Sequence, residues 1–140
     1  MLEAKNLECI RGDRHLFRSL SLFLDKGEAL YVNGPNGSGK STLLRTLCGL
    51  FQPADGEVKW NGVPINLLSE EFSKEVLYIG HKSGIKDDLN ALENLRIASL
   101  LDGLTVNEED AWQALEHMGL HGFEDLPCKQ LSQGQKRRVA

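Results

Sequence analysis

Leu20, Leu22 and Leu24 alternate with other residues in "SLSLFLDKGE", a two-residue period that predicts a β-strand with one buried face. Leu2–Ile10 shows the same character, with Leu7 and Cys9 set between polar neighbours. Asp25-Lys26-Gly27-Glu28 predicts a turn. Ala29–Asn33 and "VLYIGH" at 76–81 are short, nearly continuous apolar runs, the pattern of strands buried on both faces. "QPADGEVKWNGVPI" holds an Asp-Gly turn, three strand-like residues and an Asn-Gly turn, which predicts a β-hairpin.

The period then lengthens. Lys40–Leu47 predicts a helix, closed by Gly49. "NALENLRIASLLDG" and "NEEDAWQALEHMGL" predict amphipathic helices, opened by the capping pairs Asn90/Glu93 and Asn107/Asp110 and closed by Gly103 and Gly119. The expected fold class is therefore α/β: a core over residues 1–85 with an antiparallel β part, and a helical subdomain over residues 86–140.

Composition narrows this picture. A chain of 140 residues is about one domain, and 41% hydrophobic against 26% charged residues fits a packed core rather than disorder. A net charge of -4 gives duplex nucleic acid no electrostatic footing, so no nucleic-acid partner is expected. The "KRR" run at 136–138 reads as a solvated helix face. Cys9, Cys48 and Cys128 are odd in number and contain no CxxC pair, which fits a reducing compartment. The polar start "MLEAKNLECI" does not read as a signal peptide, and no apolar run reaches the ~18–20 residues of a spanning helix. Any service to a membrane is expected from the water side, through a partner.

The most specific chemistry lies in "GPNGSGKST", whose first eight residues fit GxxxxGK[ST] between a predicted strand and a predicted helix. A polyphosphate needs several backbone N–H groups pointing inward together. Gly34, Gly37 and Gly39 permit the positive φ angles of such a nest, with Pro35, Asn36 and Ser38 between them. The helix that follows adds its N-terminal dipole. Lys40 is placed to reach the β- and γ-phosphates, Ser41 to hold Mg²⁺, and Thr42 to reach the α-phosphate. ATP and Mg²⁺ are the expected ligands.

A second signal lies in "LPCKQLSQGQKRRVA". Ser132 and Gln135 form a capping box. Gly134 inside the first turn costs about 1 kcal/mol against alanine, more than capping alone justifies. A glycine there makes sense if an anion approaches the backbone closely. With one phosphate loop already assigned, a second element points to a nucleotide shared between two subunits.

Together these stretches resemble the ATP-binding subunits of ABC transporters: "GPNGSGKST" resembles Walker A, and "LSQGQ", Leu131-Ser132-Gln133-Gly134-Gln135, resembles the signature LSxGQ. "CIRGDRHLF", "YIGHKSGIKDDLNALENLR" and "LSQGQKRRVA" are similar to the group serving bacterial heme export in cytochrome c maturation. The resemblance implies a head-to-tail dimer with a second ATP-binding subunit, integral membrane permease partners, and a peripheral place on the cytoplasmic face of the bacterial inner membrane. It places Arg11 where an aromatic residue usually stacks on adenine, and a guanidinium plane can also stack on a base. It places His81 at the Q-loop, where most relatives have glutamine. His81 is expected to act through water or to hydrogen-bond the attacking water or the γ-phosphate. Walker B and the switch histidine are not found in these residues, so the chain is read as a fragment without activity of its own. A transporter subunit for another cargo, and a soluble ABC ATPase acting on ribosomes or DNA, stay open as alternatives.

Weaker signals have plainer readings. His117 and His121 share an i, i+4 spacing, but Gly119 and Gly122 mark a helix end, so they read as helix-end histidines rather than a metal or heme pair. Trp112 and Met118 read as core, and Trp60 as core or sheet edge.

Overall fold

The computed structural model describes residues 1–80 and 84–140, which divide into two compact units, Met1–Tyr78 and Ile79–Ala140.

The first unit is built on an antiparallel sheet of β1 (Leu2–Arg11), β2 (Arg14–Leu24), β3 (Asp55–Trp60) and β4 (Val63–Pro64), in the order β2-β1-β3-β4. Leu2 faces Leu24 across one ladder and Trp60 across the other. The inward residues Ala4, Leu7 and Val58 meet Leu43 and Leu47 of helix α1 (Lys40–Leu47) to form this unit's core. Alternation alone would set Ala4 and Leu7 on opposite faces; the register shift between them, with Asn6 at φ 50, brings both to the face that a helix with an apolar stripe covers. At the edge of that core, Cys9 and Thr46 are fully buried with Sγ and Oγ1 3.6 Å apart. Two short helices, α2 (Ile65–Leu68) and α3 (Glu70–Lys74), follow β4, and Phe72 of α3 packs against Trp60 with ring centroids 5.9 Å apart.

Three sequence expectations change here. Asp55-Gly56 opens β3 rather than making a turn, with Gly56 at φ 86 beside a register shift between Lys5 and Glu8. A Cβ on Gly56 would lie 2.4 Å from the Lys5 carbonyl, so the two strands approach there as closely as only glycine allows. The Asn61-Gly62 turn forms as expected, with both residues at positive φ. Ala29–Asn33 and the described part of the second apolar run, 76–80, are not strands. A strand exists through its ladder, and among the described residues no strand pairs with either segment. Tyr31 and Leu77 are consequently each 85% exposed.

The second unit packs α4 (Ala91–Leu101), α5 (Glu108–His117), a 3₁₀ turn (Cys128–Gln130) and α6 (Gln133–Val139) around Ala91, Leu92, Ala111, Leu115, Leu120, Cys128, Leu131 and Val139. Trp112 lines this core, whereas Met118 is half exposed because it follows the last turn of α5 and leaves its inward face.

Helix ends form as their sequences predict. Asn90 Oδ1 accepts from the Glu93 N–H, and Glu93 Oε2 accepts in return from the Asn90 N–H. Asn107 Oδ1 accepts from the Asp110 N–H. Behind α1, α4 and α5, Gly49, Gly103 and Gly119 turn left-handed, and the next N–H in each case reaches back to close the last turn.

Candidate functional site

The phosphate loop lies in the first unit between the end of the Ala29–Asn33 segment and α1. Gly34, Gly37 and Gly39 sit at φ 153, 82 and 97. Side chains strain in those conformations, so the three glycines are required by the path of the chain itself. Two of the positions also lack room. A Cβ on Gly34 would come 2.9 Å from Ser38 Oγ, and one on Gly39 would come 3.0 Å from the Leu16 Cβ. Leu16 and Phe17 of β2 thus back the loop, a contact that loop composition alone does not reveal. Asn33 Oδ1 accepts from the Gly34 N–H and fixes the loop's first corner.

Gly39 is the N-cap of α1, and no side chain caps this helix. Its first turn holds no acidic residue either. The N–H groups of that turn and the positive end of the helix dipole are thus offered to an outside acceptor. Lys40 Nζ donates to the Gly34 carbonyl at 2.7 Å and to the Pro35 carbonyl at 2.9 Å, which curls its side chain over the loop. Ser41 is exposed and Thr42 half-buried in the same turn. Backbone donors, a dipole and a cation lie together on one stretch of chain, a donor set that fits a polyphosphate with a hard metal ion at Ser41. A cleft of about 820 Å³ between the end of α1, β3 and α2–α3 touches none of the residues Gly34–Thr42, so this fit rests on the loop alone.

Arg11 is exposed at the tip of the β1–β2 hairpin, directly across from Arg14. Nearby, the Glu8 carboxylate lies 2.8 Å from His15 Nδ1 and 3.3 Å from Arg18 Nε. Among the described residues no carboxylate pairs with Arg11. His81 lies outside the described residues.

The signature-like segment belongs to the second unit. Leu131 is buried in that unit's core and anchors it, while Ser132, Gln133 and Gly134 are exposed. The predicted capping box is present: Ser132 Oγ accepts from the Gln135 N–H at 3.2 Å, and Gln135 Oε1 accepts from the Ser132 N–H at 2.8 Å. Gly134 takes ordinary helical geometry, and a Cβ there would meet nothing within 4 Å. Among the described residues no contact demands a glycine at 134.

A buried asparagine supports this segment from behind. Asn94 is 6% exposed. Its Nδ2 donates to the carbonyls of Lys86, at 3.0 Å, and Asn90, at 2.9 Å, and to Cys128 Sγ at 3.3 Å, while Oδ1 accepts from the Lys86 N–H at 2.7 Å. Burial pushes the Cys128 thiol up from its ordinary pKa, so it stays neutral beside that donor. Sequence reasoning passed over Asn94. The available signal was a polar residue on the inward face of α4, one turn from Ala91.

His117 Nδ1 lies 2.7 Å from the Gln113 carbonyl at the end of α5, and His121 lies near Glu124, a buried carboxylate. Among the described residues no cluster could hold a metal through His, Cys, Asp and Glu, and no helix is long and apolar enough to cross a membrane.

Comparison with known proteins places these features in a family. The family model described as "ABC transporter" matches residues 17–140. The cytochrome c biogenesis ATP-binding export protein CcmA of Nitrosomonas europaea is 54% identical over 140 residues, covering 100% of this chain and 66% of the relative. Its counterpart in Dechloromonas aromatica is 51% identical over 140 residues, covering 100% of this chain and 69% of the relative. The chain thus spans about two thirds of the length of these relatives. The dimeric structure of a bacterial ABC transporter cassette superimposes with a TM-score of 0.79 at 27% identity, covering 99% of this chain and 66% of that one. A family match that begins in β2 and runs through both the phosphate loop and the signature segment leaves one conclusion: the chain belongs to the ABC transporter family, among relatives named as cytochrome c biogenesis ATP-binding export proteins.

Proposed function

We propose that the full-length protein binds MgATP on Gly34–Thr42, pairs head-to-tail with a second ATP-binding subunit, and hydrolyses ATP to drive heme export for cytochrome c biogenesis. The uncapped first turn of α1, with Lys40 curled over three left-handed glycines, carries this reading. Relatives that are 54% and 51% identical over the whole of this chain and are named as export proteins of cytochrome c biogenesis support the cargo.

In this reading the loop amides and Lys40 bind and orient the phosphates, and the Ser41 hydroxyl holds Mg²⁺. When bound, Mg²⁺ neutralises charge on the phosphates of the nucleotide. Ser132, Gly134 and Gln135, with Leu131 and Gln133 around them, would serve the nucleotide held by the partner subunit. The open space around Gly134 supports that assignment, since nothing among the described residues needs the missing Cβ. The exposed plane of Arg11 would stack on adenine, and His81 would stand at the Q-loop. The subunit would sit peripherally at the cytoplasmic face of the inner membrane, held by permease subunits.

The test uses the full-length protein with its membrane partners. ATP hydrolysis by the complex, together with loss of mature c-type cytochromes when Lys40→Ala replaces the wild type in cells, is the expected result. ATP hydrolysis with normal cytochrome c maturation would assign another cargo. An ATPase that co-purifies with ribosomes or DNA and with no membrane protein would overturn the transporter reading.

A further inference from the structure

The loop Gly84–Asn90 follows the Q-loop position in sequence, and within the second unit it is tied to the residues flanking the signature segment by three kinds of connection. Asn94 is the first, bonding both the N–H and the carbonyl of Lys86 on one side and Cys128 Sγ on the other. Backbone pairing is the second: the Cys128 N–H donates to the Leu89 carbonyl at 2.8 Å, and the Lys129 N–H to the Asp87 carbonyl at 2.9 Å. The third is an ion pair. Lys136 of α6, one residue beyond Gln135, donates through Nζ to Asp87 Oδ1.

The Lys136 side chain is only 12% exposed, although lysine normally extends into solvent. Asp87, by contrast, is 61% exposed. With its carboxylate that exposed, the pair contributes little to stability. Its geometry is more informative than its energy, because it joins the first full turn of the signature helix to a loop 49 residues away.

We propose that Asp87, Lys136 and Asn94 form a clamp that positions the signature segment relative to the loop after the Q-loop, so that a shift of the loop moves Ser132–Gln135. The three are positioning residues. None belongs to the phosphate loop, which is part of the other compact unit. The inference rests on the proposed ATP-hydrolysing dimer and adds to it the residues through which the loop and the signature segment move together.

The clamp predicts a specific kinetic pattern in the full-length complex. Asp87→Asn and Lys136→Met should each lower kcat roughly three- to thirty-fold, the range of mutations along a coupling route. KM for MgATP should stay within about two-fold, because initial binding belongs to the phosphate loop. The double variant should be no slower than the slower single variant, because each substitution breaks the same link. Lys136→Arg, which keeps the cation, should retain most of the activity. A second readout needs no nucleotide: in the full-length protein, Asp87→Asn should speed amide hydrogen exchange at Cys128 and Lys129 and leave Leu43–Leu47 unchanged.

Unchanged kcat in both single variants would overturn the clamp, as would multiplicative losses in the double variant. Equal exchange rates at Cys128 and Lys129 in wild type and Asp87→Asn would also overturn it. A wild-type complex that does not hydrolyse ATP would overturn the ATPase reading instead, and the exchange measurement would still decide whether the link exists.

Discussion

The phosphate loop and the signature segment both hold glycine beside the start of a helix, yet they use it in opposite ways. At 34, 37 and 39 the backbone itself requires glycine, through left-handed φ angles and through contacts with Ser38 and Leu16. At 134 the backbone requires nothing of the kind, and open space surrounds the missing Cβ. The helix ends differ in the same sense. The start of α1 has no capping side chain, whereas the start of α6 is closed by Ser132 and Gln135 in both directions. The first region is shaped from within, in a form that fits an anion. The second is a complete structural element whose one unexplained feature faces outward, as expected of a surface that meets a partner's ligand.

Four substitutions in the full-length protein would break or sharpen this contrast. The largest effect belongs to Lys40→Ala. Removing the cation proposed to bind the phosphates should lower ATP turnover by about 100-fold or more, since a preorganised charge in such a site contributes on that scale. Turnover near the wild-type rate would remove Lys40 from its assigned role. Gly39→Ala comes next. Its φ of 97 and the closeness of Leu16 should cost about 1–3 kcal/mol, read as a lower melting temperature together with weakened nucleotide binding. A variant that keeps both would show that the loop path is not strained as described.

Ser132→Ala should cost about 1 kcal/mol through loss of the cap, seen in denaturant unfolding, while binding of nucleotide to the protein's own phosphate loop stays unchanged. Weaker binding to the isolated subunit would mean that the two regions are not separable. Gly134→Ala is the smallest change in stability and the sharpest in meaning. It should stabilise α6 by up to about 1 kcal/mol and still reduce turnover of the dimer. Unimpaired turnover would leave the glycine without a partner to explain it.

Much of this was legible beforehand because it is local. Asn90 and Glu93 lie three residues apart, as do Ser132 and Gln135, and a cap depends on little else. The glycines and Lys40 of the phosphate loop are likewise a short-range pattern. The errors came where neighbours decide. Ala29–Asn33 has the composition of a buried strand, but composition does not supply a ladder, and Tyr31 lies in solvent. Asp55-Gly56 has turn residues, yet the approach of the Lys5 carbonyl makes the glycine part of a bulged strand. Asn94 was missed for the same reason. Its partners at Lys86 and Cys128 are 8 and 34 residues away, beyond any local pattern.

The two carbonyl contacts of Lys40 have a consequence for selectivity. A ligand that claims the ammonium group must draw it from Gly34 and Pro35, which already satisfy two of its three N–H donors. A neutral nucleoside offers nothing that outcompetes a pair of carbonyl oxygens. A triphosphate offers full negative charges and stronger charge-assisted bonds. In the proposed reading the lysine is thus a threshold as well as a binding group: it would yield only to a ligand with enough charge, which would rank nucleotides by phosphate number before any contact with the base is made.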